Sequence, residues 1–237
     1  MKKILRIILS VAVVSVAVCT AVYLADYYHN TDANALAGTD NVDVIRNGSV
    51  TLFDGPGSDT AMIFYPGGKV EDTAYCDLLK QIAAGGVDCF LADMPCHLAF
   101  FGYNKAGDII EDFGSQYSDF YISGHSLGGV AACMYVKKNP EKLKGIVLLA
   151  SYSSKDISDL SLDVLSVYGD KDEVINRESL ENNKVNLPEN ASEYIIYGGN
   201  HSGFGTYGEQ KGDGAAEING EKQRAEAAKI ILEFIGE

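Results

Sequence analysis

The thirteen residues from Asp119 to Ala131 constrain this chain more tightly than any other stretch: Asp-Phe-Tyr-Ile-Ser-Gly-His-Ser-Leu-Gly-Gly-Val-Ala. The apolar run Phe120-Tyr121-Ile122 suits a buried strand. It meets Gly124-His125-Ser126-Leu127-Gly128, after which Val130, Ala131, Ala132 and Met134 continue in helical style. A strand, a sharp turn and a helix in that order put Ser126 in a strained backbone conformation that throws its hydroxyl clear of the sheet. Gly124 and Gly128 omit the side chains that would collide where strand and helix cross. The same turn aims the first free NH groups of the helix at whatever binds Ser126, and those groups favour negative charge. Ser126 is therefore the candidate nucleophile. The five-residue pattern alone recurs by chance, but at a strand-to-helix junction it is specific.

The remaining chain supplies the sheet such a turn needs. Val42 to Arg46 and Val50 to Phe53 flank Asn47-Gly48, a strong hairpin signal. Ala61 to Tyr65 is an apolar strand ending at Pro66-Gly67-Gly68-Lys69. Tyr75, Leu78, Leu79 and Ile82 then recur at helical spacing and stop at Gly85-Gly86. Further strands are expected at Val87 to Ala92, Gly145 to Ala150, Asp163 to Tyr168 and Glu193 to Tyr197. Helices are expected near 106–113, up to Lys138, near 177–184 and over 221–235. Apolar strands alternating with helices predict an α/β fold: a mostly parallel sheet covered on both faces, with an antiparallel hairpin leading in. In such sheets the site lies at the carboxyl ends of the strands. That places Tyr65-Pro66-Gly67-Gly68, Ser126, Asp170 with Asp172, and His201 along one edge.

A serine hydroxyl needs a base within hydrogen-bond reach, and the base needs a carboxylate to fix its tautomer. Of the four histidines, His29 lies beside the expected membrane segment. His125 adjoins the nucleophile but is turned elsewhere by the turn itself, and His97 has no acid assigned to it. His201, in Tyr197-Gly198-Gly199-Asn200-His201, follows the last strand and is the candidate base. The acid comes from Gly169-Asp170-Lys171-Asp172, where both aspartates are within reach. The order Ser, Asp, His is that of α/β-hydrolases.

With these residues in place, the chain from about Val42 onward resembles the α/β-hydrolase superfamily. More closely it is similar to small cap-less serine hydrolases of the dienelactone-hydrolase and esterase-like kind, through Tyr-Pro-Gly-Gly-Lys, Gly-His-Ser-Leu-Gly-Gly and Gly-Gly-Asn-His. The resemblance implies Ser126 as nucleophile, His201 as general base and Asp172 as acid, with Asp170 as fallback. It further implies an oxyanion hole from the NH of Leu127 and one from Pro66-Gly67-Gly68-Lys69. Proline has no NH, so Gly68 is the expected donor and Lys69 the second choice. The expected reaction is hydrolysis of an ester-type bond (carboxylic ester, thioester or lactone) through an acyl-enzyme, with no metal or cofactor called for. The substrate is expected to be a small or acylated molecule. An acyltransferase using the same triad and a membrane-tethered binding module are the alternatives. The dozen residues Ser151 to Leu162 stand where related enzymes insert a cap and are too few to form one. Phe100, Phe101 and Tyr103 are candidates for an acyl pocket, although an aromatic run is more often core.

Ahead of the domain, Met1-Lys2-Lys3-Ile4-Leu5-Arg6 is basic and Ile7 to Leu24 carries no charge, enough to span a hydrocarbon core. No small-residue cleavage site follows the apolar run directly, so residues 1–25 are read as one transmembrane anchor. A cleaved signal followed by secretion is the alternative. Residues 26–41 are expected to be a spacer and residues 42–237 the hydrolase domain. The basic residues at the start should stay cytoplasmic, with Tyr23, Tyr27 and Tyr28 at the interface and the domain outside the cytoplasm. Cys19 follows Val18, which is bulkier than the residue usually found before a lipidated cysteine. Cys76, Cys89, Cys96 and Cys133 show no metal-ligand spacing and read as small buried hydrophobes. Formal charge is -14, and all three basic residues before position 25 belong to the anchor. So acidic a domain repels nucleic acid and anionic head groups.

Overall fold

A computed structural model of the chain describes residues 2–57 and 59–236; Met1, Ser58 and Glu237 lie outside the described residues. One sheet of eight strands organises the domain: β1 (Asp43–Asn47), β2 (Val50–Asp54), β3 (Thr60–Tyr65), β4 (Asp88–Ala92), β5 (Asp119–His125), β6 (Gly145–Leu149), β7 (Asp163–Gly169) and β8 (Ser192–Ile196). Their spatial order is β1-β2-β4-β3-β5-β6-β7-β8. The β1–β2 hairpin and the β2–β4 pair are antiparallel, and every later pair is parallel. Asn47 and Gly48 form the hairpin turn, with Gly48 at φ 58°, where a glycine avoids the steric cost of other residues. The α/β-hydrolase fold expected above is thus present, and each expected strand lies within three residues of its expected limits.

The two faces of β3 show how the sheet is covered. Its side chains alternate, so Met62 and Phe64 join one core while Ala61, Ile63 and Tyr65 join the other. On the first face lie α2 (Cys76–Ala84) and α6 (Gly220–Gly236), which supply Leu78, Leu79, Ile82, Ala227, Ala228 and Ile231. On the second lie α3 (Lys105–Phe113) and α4 (Leu127–Lys138), with Ala106, Ile109, Ala131, Ala132, Tyr135 and Val136. Each fully buried leucine or isoleucine contributes about 2 kcal/mol of transfer free energy. Lys137 and Lys138 close the last turn of α4, where positive charge suits the helix dipole, and Asn139-Pro140 ends it. The short α5 (Arg177–Asn182) packs Leu180 against Tyr168 and Ile175 at the β8 side. Residues 151–162, where a cap would be inserted, contain no helix or strand.

α1 (Lys2–Ala25) includes Arg6–Ala25, long and apolar enough to cross a membrane, a property that signal sequences share. None of that span is buried against the domain. Residues 26–41, expected as a spacer, instead lie along the domain as a strap. Tyr28 NH donates to the Lys69 carbonyl at 2.7 Å, and Glu71 NH donates to the Tyr28 carbonyl at 2.9 Å, a parallel bridge to Val70. Thr31 NH donates to the Thr206 carbonyl at 2.7 Å, and Thr206 Oγ1 donates to Asn30 Oδ1 at 2.6 Å. Ala35 is buried, and the Tyr28 ring packs near Tyr207. Polar composition hid this, because much of what holds the strap is backbone hydrogen bonding and its apolar contacts are limited to isolated residues such as Tyr28 and Ala35. A fragment starting at Asn41 is therefore expected to be less stable than one starting at Asp26. With a net contribution of about 1 kcal/mol per hydrogen bond, the three backbone bonds of the strap should make the difference roughly 3 kcal/mol. That lowers Tm by about 6 to 12 °C for a domain of this size. Coincident thermal transitions of the two fragments would show that the strap stabilises nothing.

Candidate active site

The carboxyl ends of β3, β5, β6, β7 and β8 converge on Ser126. Ser126 follows β5 at φ 52° and ψ -120°, a region L-residues rarely adopt. The strain is held by neighbours on both sides. Ser126 NH donates to the Leu149 carbonyl at 2.9 Å, while its own carbonyl accepts from Gly129 NH at 3.0 Å and Ser151 Oγ at 2.7 Å. A Cβ on Gly124 would lie 2.4 Å from the Gly128 carbonyl carbon, and one on Gly128 would lie 2.2 Å from the Tyr65 carbonyl oxygen. These two glycines let α4 start directly against the end of β3.

That approach sets the Gly67-Gly68-Lys69 loop beside the elbow. A Cβ on Gly68 would touch the Leu127 side chain at 2.8 Å, so Gly68 and Leu127 are packed neighbours. Gly67 NH donates to Tyr75 Oη at 3.1 Å, and Lys69 NH donates to the His97 carbonyl at 2.7 Å. Gly68 NH has no hydrogen-bond partner among the described residues. Leu127, the first residue of α4, has an NH that no helical carbonyl can accept. The second-choice donor, Lys69, thus has its NH engaged elsewhere.

His201 Nδ1 lies 2.8 Å from Asp172 Oδ2, and both side chains are almost fully buried. Asp172 Oδ1 accepts from the NH groups of Val174 at 2.9 Å and Ile175 at 2.8 Å. A carboxylate so placed accepts the Nδ1 proton of His201, leaving the lone pair on Nε2. That Nε2 is buried with no hydrogen-bond partner among the described residues. Asp170 turns away: its Oδ1 accepts from Gly198 NH at 2.5 Å and its Oδ2 lies 3.5 Å from Lys171 Nζ. No hydrogen bond joins the Ser126 hydroxyl to His201, but both residues line one cavity of about 200 Å³ with Leu127, Val130, Ile175 and Tyr152. The cavity walls carry no acidic or basic side chain other than the imidazole. Phe100 and Phe101 are absent from this lining and are neither core, being 42% and 67% exposed. Tyr103 is also outside it, half-buried, with Lys138 Nζ bonded to its hydroxyl.

Three supporting residues escaped the sequence reading. His125 is fully buried, its Nε2 3.1 Å from the His201 carbonyl and its Nδ1 2.9 Å from Tyr75 Oη. A carbonyl only accepts, so Nε2 bears the proton and Nδ1 takes that of Tyr75, whose oxygen accepts from Gly67 NH. Burial, and next the charge of a protonated His201, hold the His125 pKa well below the usual histidine range, so this chain of bonds is neutral. Tyr75, for its part, has its pKa raised by burial. Asp213 accepts from His201 NH at 3.2 Å, Ser202 NH at 2.8 Å and Glu173 NH at 3.4 Å, tying the two loops that carry His201 and Asp172. The position of His125 before Ser126 was the one signal available for any of them; nothing local marks Tyr75 or Asp213. Cys76, Cys89 and Cys133 are buried free thiols, whereas Cys19 and Cys96 are free and exposed. Among the described residues, no cluster of His, Cys, Asp or Glu has the arrangement of a metal site.

Comparison with known proteins gives a consistent picture of the fold. Est1E from Butyrivibrio proteoclasticus matches at a TM-score of 0.59, with 15% identity, over 84% of this chain and 100% of that chain. A monoacylglycerol lipase from Paleococcus ferrophilus matches at 0.61, with 13% identity, over 81% of this chain and 99% of that one. A predicted CIB-like hydrolase from Thermoplasma acidophilum matches at 0.59, with 14% identity, over 82% and 96%. At such identities the likeness is one of fold. No curated protein matches the sequence. The family model described as the alpha/beta hydrolase family matches residues 61–225, more than half of the sequence, and the chain belongs to that family.

Proposed function

We propose that the protein is a serine hydrolase that cleaves an ester-type bond through an acyl-enzyme on Ser126. The observation that carries this reading is the buried, unpartnered Nε2 of His201 beside Ser126, with Nδ1 held by Asp172. A histidine that lines the serine's cavity, with Nδ1 engaged by a carboxylate and Nε2 without a partner among the described residues, is suited to take the serine proton. As Ser126 Oγ bonds to the substrate carbonyl carbon, its proton passes to His201 Nε2, and the carbonyl electron pair moves onto oxygen. The NH groups of Leu127 and Gly68 are the donors for that oxyanion; loss of one such donor costs about 3 kcal/mol of transition-state stabilisation. Collapse expels the alcohol, which leaves with the proton from His201. Water then attacks the acyl-enzyme, again losing its proton to Nε2, and the acid departs as Ser126 is restored.

Family membership, and fold-relatives that include a monoacylglycerol lipase, favour a carboxylic ester as the bond. The apolar walls Leu127, Val130, Val174 and Ile175 suit an uncharged acyl group. A series of p-nitrophenyl esters of increasing acyl length is expected to be turned over. If none is turned over and a fluorophosphonate probe fails to label the protein, the chain is a binding module instead. If added alcohols capture the acyl group in preference to water, it is a transferase.

We further infer that α1 is a single membrane span with the domain on the extracytoplasmic side, because the basic residues precede the apolar stretch. Protease added to intact cells should then digest the domain. Protection until lysis would reverse the orientation.

A further inference from the structure

We propose, resting on the hydrolase reading above, that the substrate is an acyl ester embedded in the membrane that holds α1, and that it reaches Ser126 from the bilayer side. The span ends at Ala25, and the next residues are already fixed to the catalytic edge. Lys69 Nζ pairs with Asp26 at 3.1 Å and sits 4.2 Å from the ring centroid of Tyr23 in the last turns of α1. The Tyr27 ring stacks on His97 at 3.9 Å, and the His97 carbonyl accepts from Lys69 NH. Lys69 follows Gly68, which touches Leu127, which follows Ser126. The serine is therefore only a few packed residues from the point where the chain leaves the membrane. An aromatic and cationic pair such as Tyr23 and Lys69 suits the head-group level.

The same edge offers a contact with the lipid surface. Phe100 and Phe101 come after His97, Leu98 and Ala99, in a one-turn 3-10 helix from Ala99 to Phe101, and are 42% and 67% exposed. Burying the exposed parts of such rings in lipid is favourable. Lys69, Cys96 and His97 all have positive φ, so the two loops joining anchor to site are set in uncommon conformations. Finally, residues 151–162 contain no helix or strand and the cavity is walled by uncharged side chains, which suits an alkyl chain entering from an apolar phase.

The test uses the full chain reconstituted in phosphatidylcholine vesicles, with 4-methylumbelliferyl oleate dissolved in the bilayer and p-nitrophenyl acetate in the water. The double variant Phe100→Asp, Phe101→Asp should lose at least about tenfold on the oleate, a modest part of what burial of two rings supplies, and keep its rate on the acetate. Equal losses on both esters, or none on either, would overturn the proposal. The chain has no tryptophan, so single replacements report cleanly. Phe101→Trp in vesicles of brominated phosphatidylcholine should be quenched, and Lys142→Trp, before β6 at the opposite edge of the sheet, should not. An unquenched Phe101→Trp sinks the membrane contact whatever the enzymology. By contrast, quenching without turnover of either ester by the wild type would count against the hydrolase reading and leave this contact standing.

Discussion

Replacing Ser126 with alanine is expected to lower kcat on a p-nitrophenyl ester by about 10⁶-fold, the loss seen when the serine of such a triad is removed. The same change should leave the fold intact. Ser126 Oγ makes no hydrogen bond among the described residues, and alanine adopts the φ of 52° at a cost similar to that of serine. The elbow is held by backbone bonds to Leu149 and by Ser151, none of which involves the hydroxyl. Thermal stability should therefore move by no more than about 0.5 kcal/mol, while labelling by a fluorophosphonate disappears. Persisting label on the variant would place the nucleophile elsewhere, and a collapsed fold would mean that the hydroxyl has a structural role.

The second large effect is expected from Asp172→Asn, which should lower kcat by about 10⁴-fold. Asparagine preserves the shape and keeps an oxygen for the NH groups of Val174 and Ile175. Its amide, however, must donate toward His201 Nδ1 where the carboxylate accepts. The imidazole then carries its proton on Nε2, facing Ser126, and has no lone pair with which to take the serine proton. Asp170→Asn is the matched control. Its oxygen can still accept from Gly198 NH, and the exposed contact with Lys171 is worth at most about 1 kcal/mol. Activity of Asp170→Asn within about twofold of wild type, beside an inactive Asp172→Asn, is the expected pattern. The reverse pattern would assign the acid to Asp170.

The parts of this molecule that could be read from its sequence are those built from short-range pattern. Apolar runs and helical apolar spacing marked the strands and helices, and Asn47-Gly48 marked the hairpin. Gly124 and Gly128 marked the place where β5 and α4 cross. Ser126, His201 and the pair Asp170 and Asp172 stood out because each follows a strand, which in a parallel sheet means a common edge; the choice of Asp172 within the pair came from the family resemblance. Contacts carried by the backbone or by distant side chains left no such trace. The strap at Tyr28 to Thr31 bonds in large part through NH and carbonyl groups that every residue possesses. Asp213 acts through three backbone NH groups on two other loops, so its identity matters only once those loops are in place. Tyr75 read as the first apolar position of a helix, and its hydroxyl acquires a role from His125, fifty residues later. Phe100 and Phe101 were weighed as core or as pocket wall, and pattern alone cannot identify an aromatic pair left in the open.

The strap also bears on the order in which the molecule is made. Asn30 and Thr206 are 176 residues apart in sequence, and contacts of such separation form late because a long loop must close first. As the chain is synthesised, α1 and the strap exist before any strand, yet the strap's partner beside the His201 loop is among the last parts to emerge. Until then the strap has its bonds to Lys69 and Glu71 but not those to Thr206. The strap therefore reaches its full set of contacts only after residue 206 has been made, closing a ring begun at residue 30.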